Sequence, residues 1–332
     1  MNSSQDTPED AFMKNFIVVG LGVSITYINV IFVFAFFKRS VFYTDPRYIL
    51  YIHLVINDII MLFLTVSLYV LSYAIHFMNS TVCSFLLLFA STTSGNSPLN
   101  LAGMAIERYT AICKPLHHTQ LCSVNRTYIL TGLIWLLNVL PSLADIFILL
   151  VNEPICIFSK SIICYMKNVY GSNQHFIRSI CVTALYSLCV WMTLVFTYVK
   201  VLQAANAATS DQVSARKAQK TILLHGLQLF LCLLTYVTPH IDYFFLILFP
   251  KYRTVFMYLN FILSNILPRL LSSLIYGVRN PNLFRYTSPV FAVAPVLHTL
   301  LMLEKGSVCR GKTDKVNSFY IDFNPSTIIY SH

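Results

Sequence analysis

Seven apolar stretches, each long enough to cross a bilayer as a helix, constrain this chain more than any other feature. One residue adds about 1.5 Å to an α-helix, so roughly 20 apolar residues cover the hydrocarbon layer. Hydrophobic residues make up 56% of the chain and charged residues 11%, which is typical of a membrane protein. The predicted spans are 15–37, 48–76, 84–110, 127–151, 176–201, 218–248 and 254–278.

Pro239 lies inside the sixth span, where a proline kinks a lipid-embedded helix without ending it. The mixed run 280–286 suits a helix lying along the membrane surface, and the apolar run 290–303 is too short to be a span. The sequence therefore predicts an all-α membrane protein, a seven-transmembrane helix bundle with a short amphipathic eighth helix. The predicted divisions are an extracellular N-terminus, the seven-helix domain, and a cytoplasmic helix and tail, at 1–14, 15–278 and 279–332.

Lysine and arginine are concentrated in the short loops on one side of the predicted bundle, which places that side in the cytoplasm. We therefore expect a multi-pass protein of the plasma membrane with its N-terminus outside and its C-terminus inside. The net charge of +10 needs no nucleic-acid partner, because the basic excess faces anionic lipid. Asn2 and Asn79 begin glycosylation sequons that fall outside in this orientation.

Ionisable residues inside the spans are few, and such residues are usually functional because lipid solvates charge poorly. Asp58 lies midway along the second span, and Glu107, Arg108 and Tyr109 close the third. The histidines give no metal site, since His225 and His240 are separated by roughly 22 Å along one helix. An enzyme and a metal or other cofactor are therefore not expected, and a transporter or channel would need more intramembrane charge or a repeat of broken helices.

The run from Met104 to Leu116, MAIERYTAICKPL, resembles the third-helix signature of rhodopsin-like receptors in its odorant-receptor form. The combination with other motifs is similar to fish odorant-receptor-like proteins and covers roughly residues 15–286. The accompanying motifs are Pro46-Arg47-Tyr48, Lys217-Ala-Gln-Lys220-Thr221 and Leu274-Ile275-Tyr276-Gly-Val-Arg279-Asn280, with Asn29 and Trp135 as single-residue helix markers.

This resemblance implies a cytoplasmic switch at the end of the third span. Arg108 would be restrained by Glu107 in the inactive receptor and released toward a heterotrimeric G protein on activation. Tyr109 belongs to the same motif, and Tyr198 and Tyr276 would assist the switch. Lys217 and Lys220 would border the docking face, where they would also contact lipid headgroups.

The resemblance also implies a core polar site formed by Asn29, Asp58 and Ser272, where many relatives bind a sodium ion. One departure weakens the case for sodium here, because Ser272-Ser273 stands where relatives carry Asn-Pro. The change removes a polar partner for Asp58 and a built-in kink, although the Ser272 hydroxyl is a partial substitute. Arg269, about two turns from Tyr276, is expected to find a carbonyl or a carboxylate on a neighbouring helix.

The resemblance implies a disulfide from Cys83 to a cysteine of the second outer loop. Cys164 is the favoured partner, and Cys156 is the alternative, with a second bridge between Cys156 and Cys181 also open. Spacing alone leaves this connectivity undecided.

Small residues mark the expected ligand cavity in the outer half of the bundle. Ala90, Ser91 and Ser94 lie near one face of the third helix together with Ser97. No carboxylate accompanies them, which argues against an amine ligand. Polar groups for a ligand, or equally for lipid headgroups and loops, come from Tyr236, His240 and Asp242 on the sixth span and Asp145 on the fourth.

The expected function is that of a G-protein-coupled chemosensory receptor for a small odorant or pheromone-like ligand. Its partners would be that ligand, a heterotrimeric G protein, the bilayer and arrestin. The alternative is an orphan or non-signalling seven-helix membrane protein, because the Ser272-Ser273 departure affects the switch.

Overall fold

The structure, a computed structural model, describes residues 7–38, 40–75, 77–152, 159–164, 166–208, 230, 248–249 and 252–279. Its helices are α1 Pro8–Phe37, α2 Pro46–Ala74, α3 Ser80–Cys113, α4 Pro115–Leu121, α5 Val124–Asn152, α6 Met166–Val169, α7 Asn173–Ala208, α8 Arg253–Phe261 and α9 Leu267–Arg279. A 3₁₀ turn, Ser40–Tyr43, joins α1 to α2. Strands β1 Met78–Asn79 and β2 Ser161–Ile162 pair antiparallel.

Five of the described helical segments are long and apolar enough to cross a membrane, and they coincide with five predicted spans. They are Pro8–Phe37, Pro46–Ala74, Val124–Asn152, Asn173–Ala204 and Thr254–Ser273. The third predicted span, 84–110, lies inside the 34-residue helix α3. That helix is long enough, but serine, threonine and asparagine make its middle polar. The sixth predicted span, 218–248, lies outside the described residues except for isolated positions, and so do 280–286 and 290–303.

Helix α1 begins seven residues before the predicted span because its first turn is well capped. The Thr7 hydroxyl accepts the backbone N–H of Asp10, and Pro8 occupies the first helical position, where its missing N–H costs nothing. Glu9 and Asp10 place negative charge at the positive end of the helix dipole. Residues 8–14 are therefore helical, although the sequence assigned them to an N-terminal segment outside the seven-helix domain.

The apolar core and the apolar exterior of the bundle lie on different faces of the same helices. Ile25 of α1, Leu62 of α2 and Ile266 before α9 form one buried cluster that holds the first, second and last spans together. Phe16 and Phe63, on the same first two helices, are 67% and 71% exposed. Large apolar side chains on the outer faces are what a bilayer solvates, so these surfaces face lipid.

The last span is one continuous helical run that contains a π-helical turn, Ile262–Ile266, between α8 and α9. A π-turn widens the helix by one residue and disturbs the regular pairing of carbonyls and N–H groups. It lies about two turns before Ser272-Ser273, where the sequence predicts that a proline kink is missing. The irregularity of this span therefore comes from a π-turn within the described residues.

Two glycines allow close helix–helix contacts. A Cβ added to Gly22 of α1 would lie 2.9 Å from Val66 Cγ2 of α2. A Cβ added to Gly95 of α3 would lie 2.0 Å from Asn138 Oδ1 of α5. Since real Cβ atoms do not approach other atoms this closely, α3 and α5 can pack at this distance because residue 95 has no side chain.

Gly95→Ala is expected to lower the free energy of unfolding by about 1–3 kcal/mol, because the new methyl group must displace the buried Asn138 amide. Thermal unfolding of the purified protein in detergent measures the change. Gly20→Ala is the matched control, since a Cβ there meets nothing within 4 Å, and it should leave stability unchanged or slightly higher. Equal stability of the two variants would contradict this packing.

Candidate functional site

A chain of buried asparagines joins three of the spans. Asn138 of α5 donates its amide N–H to Asn96 Oδ1 of α3 over 2.8 Å. Asn96 in turn donates to Asn57 Oδ1 of α2 over 3.1 Å. Asn57 then donates to the Thr93 carbonyl and the Ser97 hydroxyl of α3. All three amides are at most 5% exposed, so their hydrogen bonds replace water that the bilayer core cannot supply.

The chain continues into the acidic centre of the bundle at Asp58, which is 2% exposed. Ser97 of α3 donates its hydroxyl to Asp58 Oδ1 over 3.3 Å, and Ser272 of α9 donates to Oδ2 over 2.6 Å. The serine at position 272 thus supplies one polar contact between the last helix and α2. Asp58 also forms an ion pair with Arg269, in which the Arg269 Nε atom lies 3.8 Å from Asp58 Oδ1.

The neighbouring Ser273 performs the equivalent role toward the first helix. Its single hydroxyl proton is shared between two acceptors, Asn29 Oδ1 and the Arg269 carbonyl. Asn29 is 0% exposed and Ser273 is 0% exposed. The core polar residues predicted from the sequence, Asn29, Asp58 and Ser272, therefore lie in one connected region where α1, α2, α3 and α9 meet.

A second polar contact joins α2 to α5 beside this region. The Trp135 indole N–H donates to His53 Nε2 over 2.7 Å, with the two rings edge to face. Trp135, a marker of the resemblance, therefore has a specific partner, and this hydrogen bond occupies the Nε2 atom of His53. Across the described part of the chain, no group of three or more His, Cys, Asp or Glu side chains could hold a metal ion.

The predicted ligand-pocket residues on α3 have different surroundings. The Ser91 hydroxyl lies 3.1 Å from the Ser142 hydroxyl of α5, so it faces a neighbouring helix. Thr92 donates to the same Ser142 hydroxyl over 3.1 Å. Ala90 and Ser94 are half-buried. The side chains of Tyr236 and Asp242 lie outside the described residues, so the structure brings only the α3 part of this set together.

At one end of α3, the carboxylate of Glu107 is 4% exposed and contacts two basic residues. His118 of α4 donates its Nε2–H to Glu107 Oε1 over 2.9 Å. Arg47, at the start of α2, has its Nε 3.7 Å from the same oxygen. These contacts bind the short helix α4 and the start of α2 to the end of α3. The Thr110 hydroxyl adds a contact of 3.1 Å to Cys122 Sγ just after α4.

The remaining predicted switch residues are only partly described. The Tyr109 ring packs on Phe196 of α7 with ring centroids 5.5 Å apart. Tyr198 of α7 is 39% exposed. The side chain of Tyr276, together with Lys217 and Lys220, lies outside the described residues. Restraint of Arg108 by Glu107 stays a prediction: the Arg108 charge acts on this carboxylate electrostatically, and its hydrogen-bond and ion-pair partners are His118 and Arg47.

The opposite end of α3 carries the disulfide, between Cys83 and Cys164. The favoured pairing is confirmed, and the alternative partner, Cys156, lies outside the described residues. Cys181 is an exposed free thiol on α7. The disulfide lies in a buried cluster with Leu149 and Tyr170, next to the paired strands β1 and β2.

Asp145 of α5 forms an ionic cluster beside this disulfide. Its carboxylate accepts hydrogen bonds from His175 Nδ1 over 2.8 Å and from Arg178 of α7. The Tyr170 ring packs against the His175 ring at 5.1 Å. Burial, together with the Asp145 charge, raises the pKa of Tyr170 to about 12, so the phenol stays neutral and donates to the Ser84 carbonyl. Asp145 therefore has two protein partners of its own.

Sequence reasoning missed the asparagine chain and the partners of Glu107. Three asparagines at 57, 96 and 138 within apolar spans were a usable signal, because an amide inside a membrane must find a partner. The contact of His118 with Glu107 had no such signal, since it depends on how α4 folds back.

Comparisons of the sequence with known proteins connect it to membrane receptors. Residues 28–270 match the family model of the 7 transmembrane receptor (rhodopsin family). Odorant receptor 131-2 from Danio rerio is 30% identical over 274 residues, which cover 81% of this chain and 82% of that protein. Olfactory receptor 4K15 from Homo sapiens is 24% identical over 231 residues, which cover 67% of this chain and 70% of that protein.

Proposed function

The chain belongs to the rhodopsin family of seven-transmembrane receptors, and from this premise we propose that it is a chemosensory member of the family. It is a multi-pass membrane receptor and not an enzyme. In this proposal a small odorant or pheromone-like molecule binds between the helices and activates a heterotrimeric G protein. The named odorant and olfactory relatives support the chemosensory assignment.

The proposed bundle has two parts beyond the described spans. Residues 218–248 form the sixth span, with Pro239 within it, and residues 280–286 form a short amphipathic helix on the membrane surface. Both segments have the length and composition that these roles require. The family model, which runs through residue 270, also covers the sixth span.

The proposed orientation places the disulfide end outside the cell and the Glu107 end in the cytoplasm. Disulfides form in oxidising compartments, which favours the outer side for Cys83 and Cys164. Asn79 supports the same orientation: it is exposed, and its Oδ1 accepts the Thr81 N–H, which leaves the amide nitrogen available for a glycan. Asn2 is the other proposed acceptor.

The proposed ligand site lies between α3 and the sixth span in the outer half of the bundle. Ala90, Ser91 and Ser94 contribute small side chains, and Tyr236 and Asp242 contribute polar ones. Asp145 is unsuited to pairing with a ligand cation because His175 and Arg178 already occupy its carboxylate. The α3 part of this site carries no carboxylate, which favours a neutral or weakly polar ligand over an amine held by that helix.

Activation is proposed as a shift between two helix arrangements, of which the ligand binds one better. Arg108 is the switch that contacts the G protein, with Tyr109, Tyr198 and Tyr276 around it and Lys217 and Lys220 at the border. Arrestin would dock on the same face. Glu107 restrains this region in the inactive form through the contacts of its carboxylate with His118 and Arg47.

The replacement of Asn-Pro by Ser272-Ser273 favours the alternative, a receptor-like protein that does not signal. The hydrogen bonds of both serines support signalling competence instead, because they keep the last helix in polar contact with α2 and α1. The observation that carries the proposal is the hydrogen bonding of both serines to α2 and α1, in a chain whose named relatives are odorant and olfactory receptors.

Arg108→Ala is expected to abolish ligand-dependent second-messenger output at equal surface level, because the switch cation would be missing. Cells expressing the chain are exposed to water-soluble odorants, amino acids and steroid-like compounds. Lys38→Ala, which removes an exposed cation outside the motif, should respond like the unchanged chain. The unchanged chain at the cell surface could give no second-messenger response to any of these compound classes, while the double variant Ser272→Asn with Ser273→Pro does respond. That result would establish the non-signalling alternative.

His118→Ala is expected to raise second-messenger output without ligand, because it frees α4 from the end of α3. A hydrogen bond to a charged group is worth about 1.5 kcal/mol or more, and a shift of about 1 kcal/mol changes a two-state ratio about fivefold. His117→Ala is the matched control, since that exposed neighbour has no contact with Glu107 among those the structure gives. Basal output that falls, or that is equal in the two variants, would contradict the restraint.

A further inference from the structure

Arg269 is a fully buried guanidinium in the last helix. It is 1% exposed and is among the largest fully buried side chains in the described part of the chain. A charge of this kind inside a membrane bundle is costly unless partners within the protein compensate it. The proposed receptor function assigns no role to Arg269.

The three nitrogens of the Arg269 guanidinium have different neighbours. Nη1 donates to the Ser264 carbonyl over 2.9 Å, and this carbonyl belongs to the π-turn before α9. Nη2 points at the Met61 sulfur of α2. Nε has no hydrogen-bond acceptor within the described residues, and it lies 3.8 Å from Asp58 Oδ1. The guanidinium is therefore anchored by the π-turn on one side and faces the Asp58 carboxylate on the other.

The Asp58 carboxylate needs a positive charge nearby to compensate its own negative charge. Its two oxygens accept hydroxyl hydrogen bonds from Ser97 and Ser272, but neutral hydroxyls leave the negative charge uncompensated. Within the described segments, Arg269 is the cationic side chain that forms an ion pair with it. Side-chain exposures of 2% and 3% mean that water screens the pair very little.

A sodium ion, which the family resemblance implies for this aspartate, does not fit these neighbours. An ion bound to Asp58 Oδ1 would lie beside the guanidinium, whose Nε is 3.8 Å from the same oxygen. Two cations this close in a poorly screened interior repel each other strongly.

We propose that Arg269 is the permanent counter-cation of Asp58 and takes the place of a sodium ion, so that this bundle does not bind sodium at its core. The ion pair joins α2 to the last helix by a covalently attached charge. A sodium ion can leave its site when the helices rearrange, whereas the guanidinium moves only with α9. Sodium concentration is therefore no modulator of this chain.

The first test measures thermal unfolding of the purified, unchanged chain in sodium chloride and in N-methyl-D-glucamine chloride at equal ionic strength. The proposal expects the same unfolding midpoint in both salts across a sodium titration. A midpoint that rises with sodium and saturates would show a bound ion and overturn the proposal. This experiment needs no ligand and no G protein, so its outcome is independent of the proposed function.

The second test removes the guanidinium with Arg269→Met, which keeps an apolar chain of similar length. Its unfolding midpoint without sodium should fall by about 5–10 °C, because Asp58 is left without a counter-charge. Sodium should now raise the midpoint, by about 3 °C at a tenfold excess over its dissociation constant. An Arg269→Met protein that is as stable as the unchanged chain, or indifferent to sodium, would contradict the proposal.

The matched control is the double variant Asp58→Asn with Arg269→Met, which removes both charges. It should be more stable in sodium-free medium than Arg269→Met alone, since no buried charge is left unpaired, and it should not respond to sodium. A double variant less stable than Arg269→Met alone would show that the two charges are not a pair. If Arg269→Met does not accumulate in the membrane, Arg269→Lys supplies a cation of different geometry, and a sodium response in that variant would also overturn the account.

Discussion

The whole arrangement depends on one constraint: a polar group between lipid-embedded helices has to be satisfied by another group of the protein. Asn57, Asn96 and Asn138 meet this constraint with amide hydrogen bonds that cross from α2 to α3 to α5. Apolar side chains allow many rotations of one helix against another, because lipid is as apolar as they are. Amide–amide hydrogen bonds are compatible with only a few of these rotations, so the three asparagines determine which faces of α2, α3 and α5 meet.

The two ends of the bundle are arranged around this centre. Asp58 extends the network to the last helix through Ser272, and Ser273 extends it to the first helix through Asn29. At one end of α3, the Glu107 carboxylate accepts a hydrogen bond from His118 of α4. At the other end, the disulfide joins Cys83 to Cys164, which lies between α5 and α7. A ligand that shifts helix packing at one end therefore acts on a connected set of helices, as a receptor requires.

Much of this could be predicted from the sequence, because apolar length and a few motifs are local properties. Five of the predicted spans and the Cys83–Cys164 pair followed from such signals. The core polar site of Asn29, Asp58 and Ser272 stays a prediction, with Ser272 hydrogen-bonded to Asp58. Contacts that depend on helix rotation could not be predicted. Ser91 faces Ser142 of α5, and Asp145 pairs with His175 and Arg178, because the angle at which each helix packs determines its partners. The π-turn before α9 likewise has no simple sequence signature.

The coupling energy between Asn57 and Asn96 tests the central claim most directly. Unfolding free energies of Asn57→Leu, Asn96→Leu and the double variant form a double-mutant cycle that isolates the bond between the two amides. We expect each single change to destabilise the protein, and the double change to cost about 0.6–1.7 kcal/mol less than their sum. Effects that add within about 0.3 kcal/mol would mean that the two amides do not act together and that the spans are held in register by other contacts.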